Sequence, residues 1–221
     1  VDDNFAFYGS VEGFANTAYR TAHALCGNRP GALLDGDWFG VLDTEVYLYA
    51  YGCGAGSYTS ATGVGTSGDF GATPSKAVFT SLFGSFHGDW DVNNNFMRAC
   101  LASREDSYGL ACTWAGRPQW FFHHMALGEP IGYSTRATQN NAYSGLQPPG
   151  SSYRQVHIAL MGDPTLRLYP VVPPRNARAR STASVIEVAW DASPDTNVLG
   201  YYVYRGTSYS AAFERVAHAL V

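Results

Sequence analysis

Basic residues are scarce in this chain: lysine occurs once, at Lys76, and the formal net charge is -4. A protein that binds nucleic acid needs a basic surface to neutralise phosphates, so this composition argues against nucleic acid as a partner. The chain also lacks an unbroken run of roughly 20 apolar residues, the length that a bilayer-spanning helix requires. We therefore expect a globular protein with no membrane span in this stretch of sequence.

Cysteine is sparse as well. The four cysteines, Cys26, Cys53, Cys100 and Cys112, are widely spaced and form no C-x-x-C pair, which argues against a zinc ribbon or a thioredoxin motif. Cys100 and Cys112 lie in apolar segments and are predicted to be buried. One disulfide would be compatible with an oxidising compartment, but the spacing does not choose its partners.

Residues 1–4 carry neither the basic nor the apolar part of a targeting signal, and the chain does not begin with methionine. We expect that it is an interior piece of a longer protein, whose targeting signals lie outside these residues. With 221 residues, of which 46% are hydrophobic, the chain is long enough for one large domain, or for a medium-sized domain followed by a small one.

A cluster of prolines at 170–175 is the clearest boundary, because such a stretch continues neither a helix nor the interior of a sheet. It predicts a domain at 1–169, a linker at 170–175 and a second domain at 176–221. In the second domain, alternating apolar residues predict a half-buried strand at 184–190 and another strand at 199–205, and a third strand could begin near 213.

In the first domain, strand-like and helix-like runs alternate, a pattern typical of a parallel sheet with crossover helices. Asn93 or Asn94 is expected to cap the second helix. The segment 58–71, rich in Gly, Ser and Thr, is predicted to be a long loop. Right-handed crossovers should bring the ends of all the strands to a common edge. The predicted strands are 47–51, 76–83, 109–114 and 156–161, and the predicted helices are 11–25, 95–103 and 125–138.

Two of these strands end in turns of small residues that hold a reactive side chain. The first turn is Gly52–Ser57 and contains Cys53; the second is Gly84–Asp89 and contains Ser85 and His87. Because functional groups in open α/β sheets gather beyond the carboxyl ends of the strands, we expect the two turns to form one site.

Two segments resemble known families. After the linker, a strand ending in Trp190, a turn at 193–195 and a strand at 200–205 are similar to the first half of a fibronectin type III domain. Such a sandwich needs roughly 100 residues, so we expect a partial β-sandwich with Trp190 in its core. Before the linker, the segment 160–168 reads L-M-G-D-P-T-L-R-L and is similar to the strand that ends the catalytic domain of gingipain-like cysteine peptidases.

The gingipain-like resemblance covers roughly residues 47–169 and implies the fold class. The expected architecture is α/β: a caspase-like three-layer domain with a mostly parallel sheet, incomplete at its N-terminus here, followed by the partial sandwich. It also implies a secreted or cell-surface location and a peptide or protein partner. Because fold does not determine activity, the residues of the site have to be considered separately.

In that family the first turn carries the catalytic His and the second carries the Cys nucleophile. Here Cys53 stands at the His position and Ser85 at the nucleophile position. The resemblance therefore implies a degenerate dyad, as in a pseudoenzyme. On this interpretation the domain is a non-catalytic scaffold, or a module that binds a peptide or a glycan.

The alternative is an active cysteine peptidase that hydrolyses peptide bonds with its two groups exchanged between the strands. Cys53 would be the nucleophile and His87 the general base, since a thiol needs an imidazole in reach to become a thiolate. The backbone N–H groups of Gly54 and Gly88 would face an oxyanion.

Two further patterns have alternative explanations. Trp114, Arg117 and Trp120 could line the edge of a substrate site, or the tryptophans could anchor a loop. Asp89, Asp91 and Asn93 are spaced as in the start of a calcium loop, and the alternative is Asx capping of the next helix. Apart from this weak calcium candidate, the sequence indicates no cofactor.

Overall fold

The computed structural model divides the chain into two compact units, Val1–Leu168 and Tyr169–Val221. Each unit is considered separately below. The structure describes residues 1–5, 15–26, 33–101, 104–115, 120–139, 158–168, 172, 174–208, 214–217 and 219–221.

The first unit is built on a five-stranded sheet. Its strands, in chain order, are β1 (Asp2–Asp3), β2 (Tyr47–Cys53), β5 (Ala77–Phe83), β6 (Ala111–Ala115) and β7 (Ile158–Gly162); β3 (Ser60–Ala61) and β4 (Gly65–Thr66) form a separate hairpin. The order across the sheet is β1-β2-β5-β6-β7. Neighbours pair in parallel except for β6 and β7, which are antiparallel. The prediction of an α/β fold with a mostly parallel sheet is confirmed at this level.

Helices pack against both faces of this sheet. They are α1 (Asn16–Cys26), α2 (Trp38–Leu42), α3 (Ser67–Ala72), α4 (Phe96–Leu101), α5 (His123–Ala126) and α6 (Ile131–Gln139). One core lies between the sheet and α2, α3 and α4, and contains Leu82 and Phe96. The core on the other face involves α1, α5 and α6, and contains Phe79 and Ile131. Because β5 is central and covered on both faces, it reads as a continuous apolar run.

The segment predicted as a long loop at 58–71 contains β3, β4 and most of α3, so that prediction was wrong. Thr66 caps α3: its side chain accepts from the backbone N–H of Asp69, and the Asp69 carboxylate accepts from the backbone N–H of Thr66 at 2.7 Å. This reciprocal pair is a capping box, which starts a helix even in a segment of low helix propensity. The segment predicted to be helical at 125–138 contains parts of two short helices, α5 and α6, which are separated at Gly128, whose φ is +91°.

The last strand also departs from expectation. Since β7 runs antiparallel to β6, Gly162 pairs with Ala111, the first residue of β6. The carboxyl end of β7 therefore lies at the edge opposite the two reactive turns, and the predicted common edge is wrong for this strand. A pattern of apolar residues carries no strand direction. Asp163 braces the turn that follows β7, because its carboxylate accepts from the backbone N–H of Thr165 at 2.8 Å.

The second unit contains two antiparallel pairs: β8 (Arg175–Ser181) with β9 (Ile186–Asp191), and β10 (Tyr204–Arg205) with β11 (Glu214–Arg215). β8 starts inside the predicted linker, and the strand expected at 199–205 is limited to β10. The predicted half-burial of β9 was wrong, since its side chains are exposed except for the partly buried Trp190. The Trp190 ring contacts Tyr201 edge-on, with ring centroids 5.3 Å apart.

Candidate functional site

The two reactive turns lie side by side at the carboxyl edge of the sheet. Cys53, the last residue of β2, pairs in register with Phe83, the last residue of β5. The turns then touch backbone to backbone: a Cβ atom on Gly56 would lie 2.3 Å from the Ser85 nitrogen, and one on Gly84 would lie 3.0 Å from the Gly54 oxygen. Glycine is required at Gly56 because this approach leaves no room for a side chain.

Cys53 is a buried, hydrogen-bonded thiol. Its Sγ donates to Oδ1 of Asp3 at 3.1 Å, and the two residues are register partners on β2 and β1. The side chain packs with Tyr51 and Ala18 on the α1 side of the sheet. Burial, and then the hydrogen bond to the Asp3 carboxylate, raises the pKa of the Cys53 thiol to about 12. At neutral pH this group is therefore a thiol and not a thiolate.

His87 is fully buried on the other side of the sheet. Its ring lies 5.0 Å from that of Phe96, and Nε2 is 3.1 Å from the carbonyl oxygen of Ser60. Since a carbonyl only accepts, Nε2 carries the proton of the neutral ring. Nδ1 is buried without a hydrogen-bond partner in the described structure. Burial lowers the pKa of His87, because a charged imidazolium loses its hydration there.

The predicted nucleophile and base are not brought together. Cys53 belongs to the core on the α1 side, whereas His87 contacts Phe96, which belongs to the core under α2, α3 and α4. Both side chains are 0% exposed to solvent. Among the hydrogen bonds of the described residues, none joins the thiol to the imidazole.

The loop that follows β5 is held by α4. The Asn95 side-chain amide donates to the carbonyl of His87 at 2.9 Å and to that of Asp89 at 3.3 Å, and its Oδ1 accepts from the backbone N–H of Arg98 at 3.2 Å. Asn95 is thus the residue that caps α4, in place of the predicted Asn93 or Asn94. Arg98 Nη1 donates to the carbonyls of Trp90 and Val92 at 2.8 and 3.3 Å.

The other residues predicted for catalysis have structural contacts or face solvent. The backbone N–H of Gly54 donates to the Phe83 carbonyl at 3.1 Å and is therefore not available to an oxyanion. Gly88 lies against the Trp114 ring, since a Cβ there would be 2.5 Å from it. Ser85, which the sequence resemblance placed at the nucleophile position, is exposed.

The predicted aromatic substrate edge is divided between the two faces. Trp114 packs with the core under α2, α3 and α4, and its Nε1 donates to the Gly84 carbonyl at 2.8 Å. Trp120 belongs to the core on the opposite face, where it stacks on Phe122 with centroids 5.1 Å apart. Arg117 lies outside the described residues. Trp114 therefore fixes the second turn, in agreement with the anchoring alternative.

Asp89, Asp91 and Asn93 are exposed on the loop that precedes α4. Among the described residues, no group of three or more His, Cys, Asp or Glu side chains is arranged to hold a metal ion.

Exposed aromatic side chains, on the same loop and at Tyr58 just before β3, were missed by sequence reasoning. Phe86 has a φ of +69° and is 53% exposed. Its ring contacts that of Tyr58, which is 42% exposed, with centroids 5.1 Å apart. Trp90, four residues after Phe86, is 44% exposed. We call Tyr58, Phe86 and Trp90 the aromatic rim. The only signal in the sequence was a large aromatic side chain at the tip of a polar turn.

A positive φ is unfavourable for a large side chain, and such conformations cluster at functional sites. The backbone of Phe86 thus adopts a costly conformation in a position that leaves its ring exposed to solvent. This makes the aromatic rim the strongest candidate site at the carboxyl edge.

Comparisons with protein-family models, with curated proteins and with solved structures gave no match to this chain. Within the part of the chain that the structure describes, no helix has both the length and the apolar character needed to cross a bilayer.

Proposed function

We propose that this chain contains a gingipain-like domain of a secreted or surface protein that has lost its catalytic dyad and binds a ligand at the aromatic rim. The observation that carries the proposal is the exposed Phe86 ring, held on a left-handed backbone against Tyr58. The mostly parallel sheet and the adjacent turns at its carboxyl edge support the gingipain-like, caspase-like assignment. The second unit is the partial fibronectin type III-like module of this proposal.

The state of Cys53 supports a non-catalytic role. A cysteine peptidase needs a thiolate that can reach the substrate, but Cys53 is buried and its proton is shared with the Asp3 carboxylate. His87, also buried, presents one nitrogen to the Ser60 carbonyl. Each group has the environment of a core residue.

The chemistry of the aromatic rim favours a glycan over a peptide. Aromatic faces stack on the apolar C–H faces of sugar rings. Carboxylates accept hydrogen bonds from sugar hydroxyls, and protein hydroxyls can donate to them or accept from them. Ser85, Asp89 and Asp91 are exposed on the same loop as Phe86 and Trp90 and can supply those polar groups. Arg98 Nη1 donates to two carbonyls of the loop, which leaves this nitrogen less available to the carboxylate of a peptide.

The cysteine peptidase remains the second candidate because β2 and β5 are adjacent and their turns touch. In this alternative, ligand binding would have to release both Cys53 and His87 from their cores to form the exchanged dyad. We therefore include cleavage in the test of function.

A binding experiment tests the proposal. The protein is incubated with insoluble cellulose, chitin and xylan, and in parallel with immobilised gelatin as the peptide probe. We expect retention on at least one polysaccharide. Replacement of Phe86 by alanine should weaken it by roughly 5- to 150-fold, if stacking on the Phe86 ring contributes the roughly 1 to 3 kcal/mol found for nucleotide bases on aromatic side chains. Tyr58→Ala should also weaken binding.

Tyr108→Ala is the matched control, because Tyr108 is an exposed aromatic residue at the opposite edge of the sheet, where its backbone N–H donates to the Ser75 carbonyl. Equal losses for Phe86→Ala and Tyr108→Ala would contradict a specific rim. Retention on gelatin alone would replace the glycan with a peptide ligand. Cleavage of gelatin that is lost in Cys53→Ala would establish the peptidase instead.

A further inference from the structure

Two buried cysteines meet in the core beneath α4. Thr80 on β5 and Cys112 on β6 are register partners, so their side chains lie next to each other on one face of the sheet. The helix α4 packs on this face and places Cys100 Sγ 3.0 Å from Thr80 Oγ1. Cys100 and Cys112 both belong to the same hydrophobic cluster.

The two thiols are neighbours around Thr80, which hydrogen-bonds Cys100 Sγ and is the register partner of Cys112. The pKa of Cys112 lies well above its ordinary value, first because of burial and then because of a hydrogen bond with the Cys100 side chain. Thr80 also hydrogen-bonds within this group. Among the described residues, none of the four cysteines forms a disulfide in this structure.

The remaining cysteines are remote from this pair. Cys53 lies in the core on the α1 side and donates to Asp3. Cys26 is partly buried at the end of α1, against the cluster that contains Trp120 and Ile131. Cys100 and Cys112 are therefore each other's neighbouring cysteine in the fold. The spacing of cysteines in the sequence did not identify this pair.

We propose that Cys100 and Cys112 form a disulfide when the protein folds in an oxidising environment. The thiolate of one cysteine attacks the S–S bond of a small-molecule disulfide of the glutathione type, forming a mixed disulfide and releasing one small thiol. The second cysteine, as its thiolate, then displaces the other small thiol. Two protein thiols are oxidised, one small disulfide is reduced to two thiols, and these thiols carry away the two protons.

This reaction belongs to folding and not to the completed core. Cys100 and Cys112 are 2% and 0% exposed, so an oxidant reaches them only before α4 has packed or when it opens. A buried, protonated thiol is also a poor nucleophile. Once formed, the bond ties α4 to β6 across a loop of about a dozen residues, which reduces the conformational freedom of the unfolded chain. The proposal is independent of the proposed binding function.

The experiment refolds the reduced, denatured full chain in a mixture of oxidised and reduced glutathione. Free thiols are then alkylated in denaturant, and the digested protein is analysed by mass spectrometry. We expect a linked Cys100–Cys112 peptide pair, with Cys26 and Cys53 alkylated. The refolded protein should show a thermal transition roughly 5 to 10 °C higher than the same protein kept in reductant.

Cys26→Ala is the matched control and should keep both the link and the thermal shift. Cys100→Ala should lose both and leave Cys112 alkylated. If Cys100→Ala does not fold, mapping of the link in the wild-type protein still decides the proposal. Alkylation of all four cysteines after refolding, or a dominant link that involves Cys26 or Cys53, would overturn it.

Discussion

Two strands of this molecule, β5 in the first unit and β9 in the second, look alike in sequence but differ in their surroundings. Both are short, apolar and rich in β-forming residues. β5 has a parallel neighbour on each side and helices on both faces, whereas β9 pairs, among the described residues, with β8 alone and exposes Ile186 and Val188. An apolar pattern therefore shows that one face of a strand can be buried. Whether that face is buried depends on the elements that pack against it.

The largest expected effect is on the free energy of unfolding, when an apolar side chain of the same size is truncated to alanine on one strand or on the other. Leu82 on β5 is 1% exposed and Ile186 on β9 is 57% exposed. We expect Leu82→Ala to lower the free energy of unfolding by about 2 to 5 kcal/mol, because it leaves a cavity. Ile186→Ala should cost less than about 1 kcal/mol. Urea unfolding curves measure both values, and similar losses would remove the distinction between the strands.

The same contrast between packed and open positions can be sharpened with two glycines of the first unit. A Cβ on Gly54 would lie 2.0 Å from the Thr62 backbone oxygen, whereas one on Gly71, in α3, would meet no atom within 4 Å. We expect Gly54→Ala to destabilise the protein by about 1 to 3 kcal/mol or more. Gly71→Ala should stabilise it by up to about 1 kcal/mol, since alanine favours a helix. Thermal unfolding of the two variants should therefore shift in opposite directions.

A smaller effect is expected at alkaline pH. The folded state holds the Cys53 proton up to a pKa of about 12, compared with an ordinary value of 9.0. A group whose pKa is raised by folding contributes stability below the unfolded pKa, and this contribution is lost as the pH rises towards the folded pKa. Between pH 9 and 11, Cys53→Ala should thus lose stability less steeply than the wild-type protein in urea titrations. Parallel curves for the two proteins would show that folding does not raise the pKa of Cys53.

The smallest effect is expected at acid pH. Burial lowers the pKa of His87 below its ordinary value of 6.5, so the unfolded chain binds this proton more readily than the folded one. The contribution of His87 to stability is therefore complete above pH 6.5 and decreases as the pH falls from that value through the folded pKa. In His87→Gln the loss of stability between pH 6.5 and 5 should be shallower.

Much of the first sheet could be predicted because its central strands carry long apolar runs. The segments 47–51 and 76–83 correspond to β2 and β5, and their adjacency places the two turns together as expected. β1 was not predicted, since Asp2 and Asp3 show no strand pattern and pair with β2 through the backbone. The direction of β7 was equally inaccessible, because periodicity is the same in both directions.

The candidate site was less predictable from the sequence than the sheet. Side chains alternate along β2, so the burial of Cys53 on the same face as Tyr51 follows from periodicity. His87 comes four residues after the end of β5, where the turn and not the strand sets the direction of the side chain. Contacts with Ser60 of β3, and with Asn95 and Phe96 at the start of α4, fix its position, and no local pattern encodes them.

The hydrogen bonds from α4 to the loop before it have a consequence for recognition. Asn95 and Arg98 donate to four carbonyls of this loop, which lie close in sequence to its exposed side chains. These are the carbonyls of His87, Asp89, Trp90 and Val92. The backbone beneath Phe86 and Trp90 is thus stiff before any partner arrives. Binding to such a preorganised loop costs little conformational entropy of the protein, so less of the free energy of a stacking contact is offset on binding.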